Sequence, residues 1–241
     1  MGLWKGAWYL TKHELTKDGW KSLFTLLFVG YLLLFTVPLL NDVASGQRDT
    51  MLYWAMDFIY LTLLPCMGFV LNQTMMRYWK DNSYTKKMAY WRTLPISSKQ
   101  IALGRIMHLM IVLVITELIF FMLQFLILRN MGAEIPVLHF VLYAIFWFGY
   151  SLSMAVAYVY WEVGHSGKMY FLFNLIYIFV FLAITIGLTY FKVGNIVSAS
   201  LQAIDDGHWW IAIASIAVSV IAILIGVNRI ENRLEKRSYS A

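Results

Sequence analysis

The chain of 241 residues has one cysteine, four prolines and little charge: only 13% of its residues are Asp, Glu, Lys or Arg. A soluble domain usually carries roughly 25% charged residues. Half that density is too little to keep a globule of this size wetted, which argues against a soluble enzyme, a disordered tail or a secreted scaffold. A single cysteine, Cys66, excludes an intrachain disulfide and a cysteine metal cluster. What is abundant is apolar: 61% hydrophobic residues, 17% aromatic, and a mean hydropathy of +0.67. The composition is that of a chain solvated by lipid.

A helix crosses the roughly 30 Å hydrocarbon core with about 20 apolar residues, at 1.5 Å rise each. Six stretches meet that length: Lys21–Leu40, Leu52–Met75, Ile101–Leu128, Val137–Trp161, Met169–Phe191 and Trp209–Val227. The expectation is therefore an all-α, polytopic protein with six spans and no cleavable signal, forming one membrane domain over 1–241. Sixteen of the 19 lysines and arginines fall in 1–21, 76–105, at Lys168 and in 229–237. Arg48, Arg129 and Lys192 fall on the other side. Cytoplasmic loops collect Lys and Arg, so both termini and the 76–105 loop are expected in the cytoplasm of a multi-pass cell-membrane protein. The net charge of +6 and pI of about 9.3 then reflect topology, and nucleic acid is not needed to explain them. Trp20, Tyr53, Trp54, Trp161, Tyr190, Trp209 and Trp210 sit at predicted span ends, where aromatic belts form.

Residues 3–18 read differently. Leu3, Trp4, Ala7, Trp8, Thr11 and Leu15 recur at helical spacing among Lys5, Lys12 and Lys17, predicting an amphipathic helix (residues 1–19) lying on the cytoplasmic leaflet. The tail, 229–241, alternates charge signs and extends the last span as a helix. Gly149, Ser153 and Ala157 form a small-residue stripe suited to close helix packing.

The longest polar connection, 76–100, carries the most local information. Asp81, Asn82 and Ser83 are N-cap residues, and Tyr84, Met88 and Trp91 follow at i, i+4 and i+7 on a short helix. Pro95 disfavours helix at Leu94, so that helix should stop near Thr93. Ser97 with Gln100 spells a capping box that opens the third span. Lys86 and Lys87 suit anionic lipid, but lipid alone does not explain the corner. A short helix rigidly joined to a span is a device for receiving a push from a protein partner.

The segment Tyr90-Trp-Arg-Thr-Leu-Pro-Ile-Ser-Ser-Lys-Gln-Ile-Ala-Leu-Gly-Arg105 resembles the stretch before the third span in permeases of the ABC-2 type. Topology, length and the N-terminal helix resemble that family over essentially the whole chain. The resemblance implies a permease that pairs with a second permease protomer, as a homo- or heterodimer. It also implies separate ATP-binding subunits that hold the ATP and Mg, this chain binding no cofactor. The helix Ser83–Thr93 would match the family's coupling helix, with Tyr84, Lys86, Lys87, Met88, Tyr90, Trp91, Arg92, Leu94, Pro95 and Ser97 facing the ATPase. One departure is that the acidic residue often found before the aromatic pair is replaced here by Thr85-Lys-Lys-Met-Ala. Small permeases of this type resemble exporters of antimicrobial peptides and phenol-soluble modulins, which implies an amphipathic cargo.

No enzyme chemistry is spelled out. Gly164-His-Ser-Gly167-Lys168-Met169 has two residues between its glycines where a phosphate loop needs four, and Met where it needs Ser or Thr. Glu162 and His165 have the spacing of two di-iron ligands but lack the second pair such a site needs. Ionisable groups inside spans are functional candidates: Asp57 and Glu117 could line a translocation path, or could hydrogen-bond across the bundle. His108, Gln124, His139 and Asn174 also fall within spans. An ion-coupled carrier or channel working through Asp57 and Glu117 is the alternative class, although no inverted repeat or matching pair of broken spans is visible.

Overall fold

The computed structural model describes residues 2–19, 22–44, 53–70 and 83–237, and these are helical with short connections. The α-helices, in chain order, are α1 Leu3–Asp18, α2 Ser22–Ala44, α3 Tyr53–Thr62, α4 Ser83–Arg92, α5 Ser98–Asn130, α6 Val137–Gly164, α7 Gly167–Tyr190, α8 Ile196–Asp205 and α9 Trp210–Lys236. Five of them, α2, α5, α6, α7 and α9, are long and apolar enough to cross a membrane. The tail keeps helical geometry to Lys236, as its charge alternation suggests.

The stretch Leu52–Met75 is not the continuous span expected of it. α3 ends after ten residues, about 15 Å of helix, and gives way to a 3-10 turn, Pro65–Gly68. Pro65 has no N–H to give to the helical ladder, and the bonds beyond Leu63 tighten to Cys66→Leu63 and Met67→Leu64. Backbone that leaves helical geometry among apolar helices needs hydrogen-bond partners from its neighbours. The Tyr150 hydroxyl donates to the Leu61 carbonyl at 2.8 Å and Thr116 to the Met67 carbonyl at 3.0 Å. Residues 71–82 lie outside the described residues.

The bundle is organised around α5 and the pair α6–α9. Small residues, close van der Waals contact and hydrogen bonds join the apolar helices of the bundle. α6 and α9 approach until a Cβ placed on Gly149 would stand 2.6 Å from the Ser215 carbonyl carbon. Gly149 thus does what the small-residue stripe predicts, while Ser153 and Ala157 are only half-buried. On α5, Gly104 lets α1 in: its hypothetical Cβ would stand 3.1 Å from the Ala7 carbonyl, and the Gly104 carbonyl accepts a bond from Thr11 at 3.0 Å. Deeper in, Tyr60 donates to Gln124 Oε1 at 3.1 Å and Gln124 Nε2 donates to Thr36 at 3.1 Å, tying α3, α5 and α2. α7 packs mainly on α3, with smaller contacts to α6 and α4. Just 6% of its apolar window is buried, which makes it a rim helix.

Two surface helices depart from expectation. α1 forms over Leu3–Asp18, but its inward face is Gly6, Ala7, Leu10 and Thr11, set on α5, whereas Trp4 and Trp8 point outward. Small residues win the helix–helix face because they allow close approach. The bulky rings are left for the surroundings. The connection between α7 and α9 contains α8, a short helix the hydropathy pattern does not mark, whose Val197, Ser200, Leu201 and Ile204 are buried. Asp57 fixes its start. The Asp57 carboxylate accepts the N–H groups of Ile196 at 2.8 Å and Val197 at 2.9 Å, filling donors that a helix N-terminus leaves open. Asp57→Ala should therefore lower stability by about 2 kcal/mol, read as a drop in the thermal midpoint of the purified protein. An unchanged midpoint would show that α8 does not need its cap.

Candidate functional site

The corner after α4 is built as its sequence predicts. α4 ends at Arg92, and the backbone turns through Thr93–Pro95. Ser97 then caps α5: Gln100 N–H donates to Ser97 Oγ at 3.2 Å while Ser97 N–H donates to Gln100 Oε1 at 2.9 Å. Both halves of the capping box are present, so α4 and α5 are joined by a short, hydrogen-bonded hinge.

α4 has two faces. Met88 and Trp91 are buried against the bundle at 2% and 6% exposure, and Lys87 lies over the Trp91 ring, 4.6 Å from its centroid. Lys86, Tyr90, Leu94, Pro95 and Ser97 are exposed, Tyr90 at 63%. The side chains of Tyr84 and Arg92 lie outside the described residues. The aromatic pair is thus divided: Trp91 anchors the helix inward and Tyr90 projects from it.

The inward face of α4 is tied to α1 and to the residues at the end of α9. Lys87 forms an ion pair with Glu14 of α1. Arg237, just beyond α9, donates to Thr85 at 2.6 Å and to the Val163 carbonyl at 2.6 Å, and Arg233 donates to the Gly164 carbonyl at 3.2 Å. Behind these contacts a buried chain crosses the bundle. Arg105 of α5 donates twice to Glu162 Oε2 of α6, at 3.2 and 2.7 Å. It also reaches His108 Nδ1 at 2.9 Å. A guanidinium only donates, so Nδ1 is the acceptor and the proton sits on Nε2, which donates to Asp18 Oδ2 at 3.0 Å. Glu162, Arg105, His108 and Asp18 thereby link α6, α5 and α1 at the end of the bundle that carries α4.

Sequence reading found the elbow but not this chain. Glu162, spaced with His165 like a pair of metal ligands, instead holds Arg105, while the His165 and Trp161 ring centroids lie 4.7 Å apart. Burial, then the charges of Arg233 and Arg237, push the His165 pKa below the ordinary histidine value. The signal available beforehand was scarcity: with 13 acidic residues in the chain, one beside a membrane span needs a cation, because an unpaired buried charge is costly.

The acids on α1 give this end a pH dependence. Burial raises the Glu14 pKa, but the charge and hydrogen bond of Lys87, with Arg105, outweigh it and hold the carboxyl below its ordinary 4.5. Asp18 behaves likewise: burial is outweighed by the His108 hydrogen bond and the charges of Lys87 and Arg105, so it lies below 3.8. A carboxyl depressed in the folded state adds stability above its unfolded value and loses it as pH falls through the folded one. Thermal stability should hold down to about pH 5 and then decline, with Lys87→Met removing the Glu14 share of that decline. A Lys87→Met profile that superimposes on the native one below pH 5 would show that the pair carries no such linkage.

Of the in-span candidates, Asp57 caps α8 and Gln124 ties three helices, as above. His139 meets Asp205 at 2.6 Å and Asn174 donates to the Tyr170 carbonyl at 2.8 Å. Glu117 is different. Its carboxyl is buried at 2% exposure and neither oxygen has a hydrogen-bond partner among the described residues. The Ser151 hydroxyl is the polar group beside it. Among the described residues no group of three His, Cys, Asp or Glu side chains is placed to hold a metal ion. No family model, curated protein or solved structure matches the chain.

Proposed function

We propose that the chain is the transmembrane permease subunit of an ATP-driven exporter of the ABC-2 type. On this reading it is a multi-pass cell-membrane protein with both termini, α1 and α4 in the cytoplasm. It pairs with a second permease protomer and sits on separate ATP-binding subunits, which hold ATP and Mg. Its cargo is amphipathic, a peptide or a lipid-like molecule, moved out of the cytoplasm. The sixth crossing is made by the broken segment that begins with α3.

The observation that carries the reading is the two-faced α4. Its outward stripe of Lys86, Tyr90 and Leu94 is exposed, while its inward residues are tied to α1 and to Arg237 at the end of α9. A force on that stripe reaches the spans through the Lys87–Glu14 pair, Arg237 and the capped corner, without any loop slack to absorb it. The reading needs no nucleotide site on this chain, since its one glycine-rich Lys motif lacks the spacing to hold phosphate.

Co-expression with ATP-binding subunits encoded beside it is the test. One such subunit should co-purify, and a Lys86→Glu, Tyr90→Ala, Leu94→Ala variant should lose it while keeping its thermal midpoint. Full retention by the variant, or no ATP-binding subunit with the native chain, overturns the proposal. The ion-coupled alternative has one broken span in its favour. It lacks a matching break, since α5, α6, α7 and α9 run on, and Asp57 is already engaged by α8.

A further inference from the structure

An open groove of about 380 Å³ runs between α6 and α9, with Tyr177 of α7 on its side. Small side chains cut its floor, Ser153 and Ala157 on α6 and Ala222 and Gly226 on α9. At 1.5 Å per residue the stretch of α9 that it follows, from Ala222 to Arg229, is about 10 Å long. Both helices are long and apolar enough to cross a membrane, so the small-residue end opens onto lipid tails.

The other end is polar. Trp161 Nε1 donates to the Tyr177 hydroxyl at 3.0 Å, and the Trp161 ring stacks on Phe173 with centroids 3.4 Å apart. These contacts fix an aromatic wall of the kind that sits at headgroup depth. A hydroxyl that accepts one bond keeps a proton to donate. Arg229 is exposed and is the one charged side chain among the described residues that line the groove. The acids next to these residues in sequence are engaged elsewhere: Glu162 with Arg105 at 2.7 Å and Glu231 with Lys99 at 3.8 Å. Arg233, one turn further along α9, donates to the Gly164 carbonyl and adds positive charge at the same end.

We propose that the groove seats one acyl chain of an anionic phospholipid whose phosphate pairs with Arg229. The small floor lets the chain make close van der Waals contact with both helices, and a guanidinium meets phosphate in a two-bond fork. Basic pockets between membrane helices suit such headgroups. No acid among the described lining residues receives the ammonium of a choline headgroup, so the charge selects an anionic lipid over a zwitterionic one. The site needs α6 and α9 to lie in a membrane and does not need a motor on α4. Its failure and the failure of the ATP-driven reading are therefore read on different measurements.

The test is native mass spectrometry of the full chain, released from detergent after exposure to equal amounts of dioleoyl phosphatidylglycerol and dioleoyl phosphatidylcholine. The first lipid retained should be phosphatidylglycerol, by about tenfold. Arg229→Gln, on an exposed position, should bring the two lipids to near parity, and Arg229→Lys should restore part of the preference. Lys236→Gln removes the same charge from the same helix outside the groove and should leave the preference intact. Ala222→Leu, which fills the floor, should reduce retention of both lipids. Equal retention by the native chain, a preference that survives Arg229→Gln, or one that Lys236→Gln abolishes as fully would overturn the proposal. So would displacement of the lipid by an equal concentration of glycerol 3-phosphate, which would assign Arg229 to a free phosphate, or a lipid-free dimer, which would put a second copy in the groove.

Discussion

Replacing Arg105 with Met should cost the folded protein about 3–5 kcal/mol, the scale for leaving one member of a buried ion pair alone. Arg105 is 9% exposed and Glu162 4%, and the guanidinium also supports His108 and packs 5.4 Å from the centre of the Phe69 ring. Removing it leaves the Glu162 carboxylate without its cation and His108 Nδ1 without its donor. Glu162→Met should cost a similar amount for the mirror reason. The double variant Arg105→Met, Glu162→Met should recover more than half of either loss, since two well-packed apolar side chains can replace a buried pair at little cost. Thermal unfolding of the purified protein in detergent checks all three. Additive losses in the double variant would show that the two residues act separately.

Gly149→Leu should be about as damaging by a different route. A Cβ there would lie 2.6 Å from the Ser215 carbonyl carbon and 2.8 Å from its oxygen, and no side-chain rearrangement moves a backbone. α6 and α9 must separate, which opens the longest interface in the bundle at a cost of about 3 kcal/mol, the upper part of the range for overpacking. Ser215→Ala should fail to rescue it, because the clash is with main-chain atoms as well as with the hydroxyl. Gly187→Leu on α7, where a Cβ meets nothing within 4 Å, should change stability by no more than about 0.5 kcal/mol. The readout is the fraction of monodisperse protein and its thermal midpoint. A stable Gly149→Leu protein would mean that the two helices pack more loosely than described.

The parts of the fold written in local sequence are the ones that reading the sequence recovers. Ser97 and Gln100 are three residues apart and Pro95 acts on its immediate neighbour, so the elbow is predictable without knowing what surrounds it. The long spans follow from composition over some 20 residues. Pro65 lies just past the end of α3, where the helix gives way to a 3-10 turn, but a hydropathy count sees only an apolar run. The pairing of Glu162 with Arg105 spans 57 residues and that of Asp18 with His108 spans 90, and no periodicity encodes a partner at that distance. α8 was hidden because its cap is Asp57, 139 residues upstream of Ile196. The division of Tyr90 from Trp91 belongs to the same class: adjacent aromatics look equivalent until the bundle decides which one it covers.

The central claim is that the outward face of α4 is where a motor attaches. A photo-crosslinking amino acid placed at position 90, in a chain co-expressed with its neighbouring ATP-binding subunits and able to export, tests it most directly. The account predicts a covalent adduct with an ATP-binding subunit from position 90 and from position 94, and none from position 4, where Trp4 is also exposed but lies on α1. Export-competent protein that gives no such adduct from 90 or 94 would contradict it.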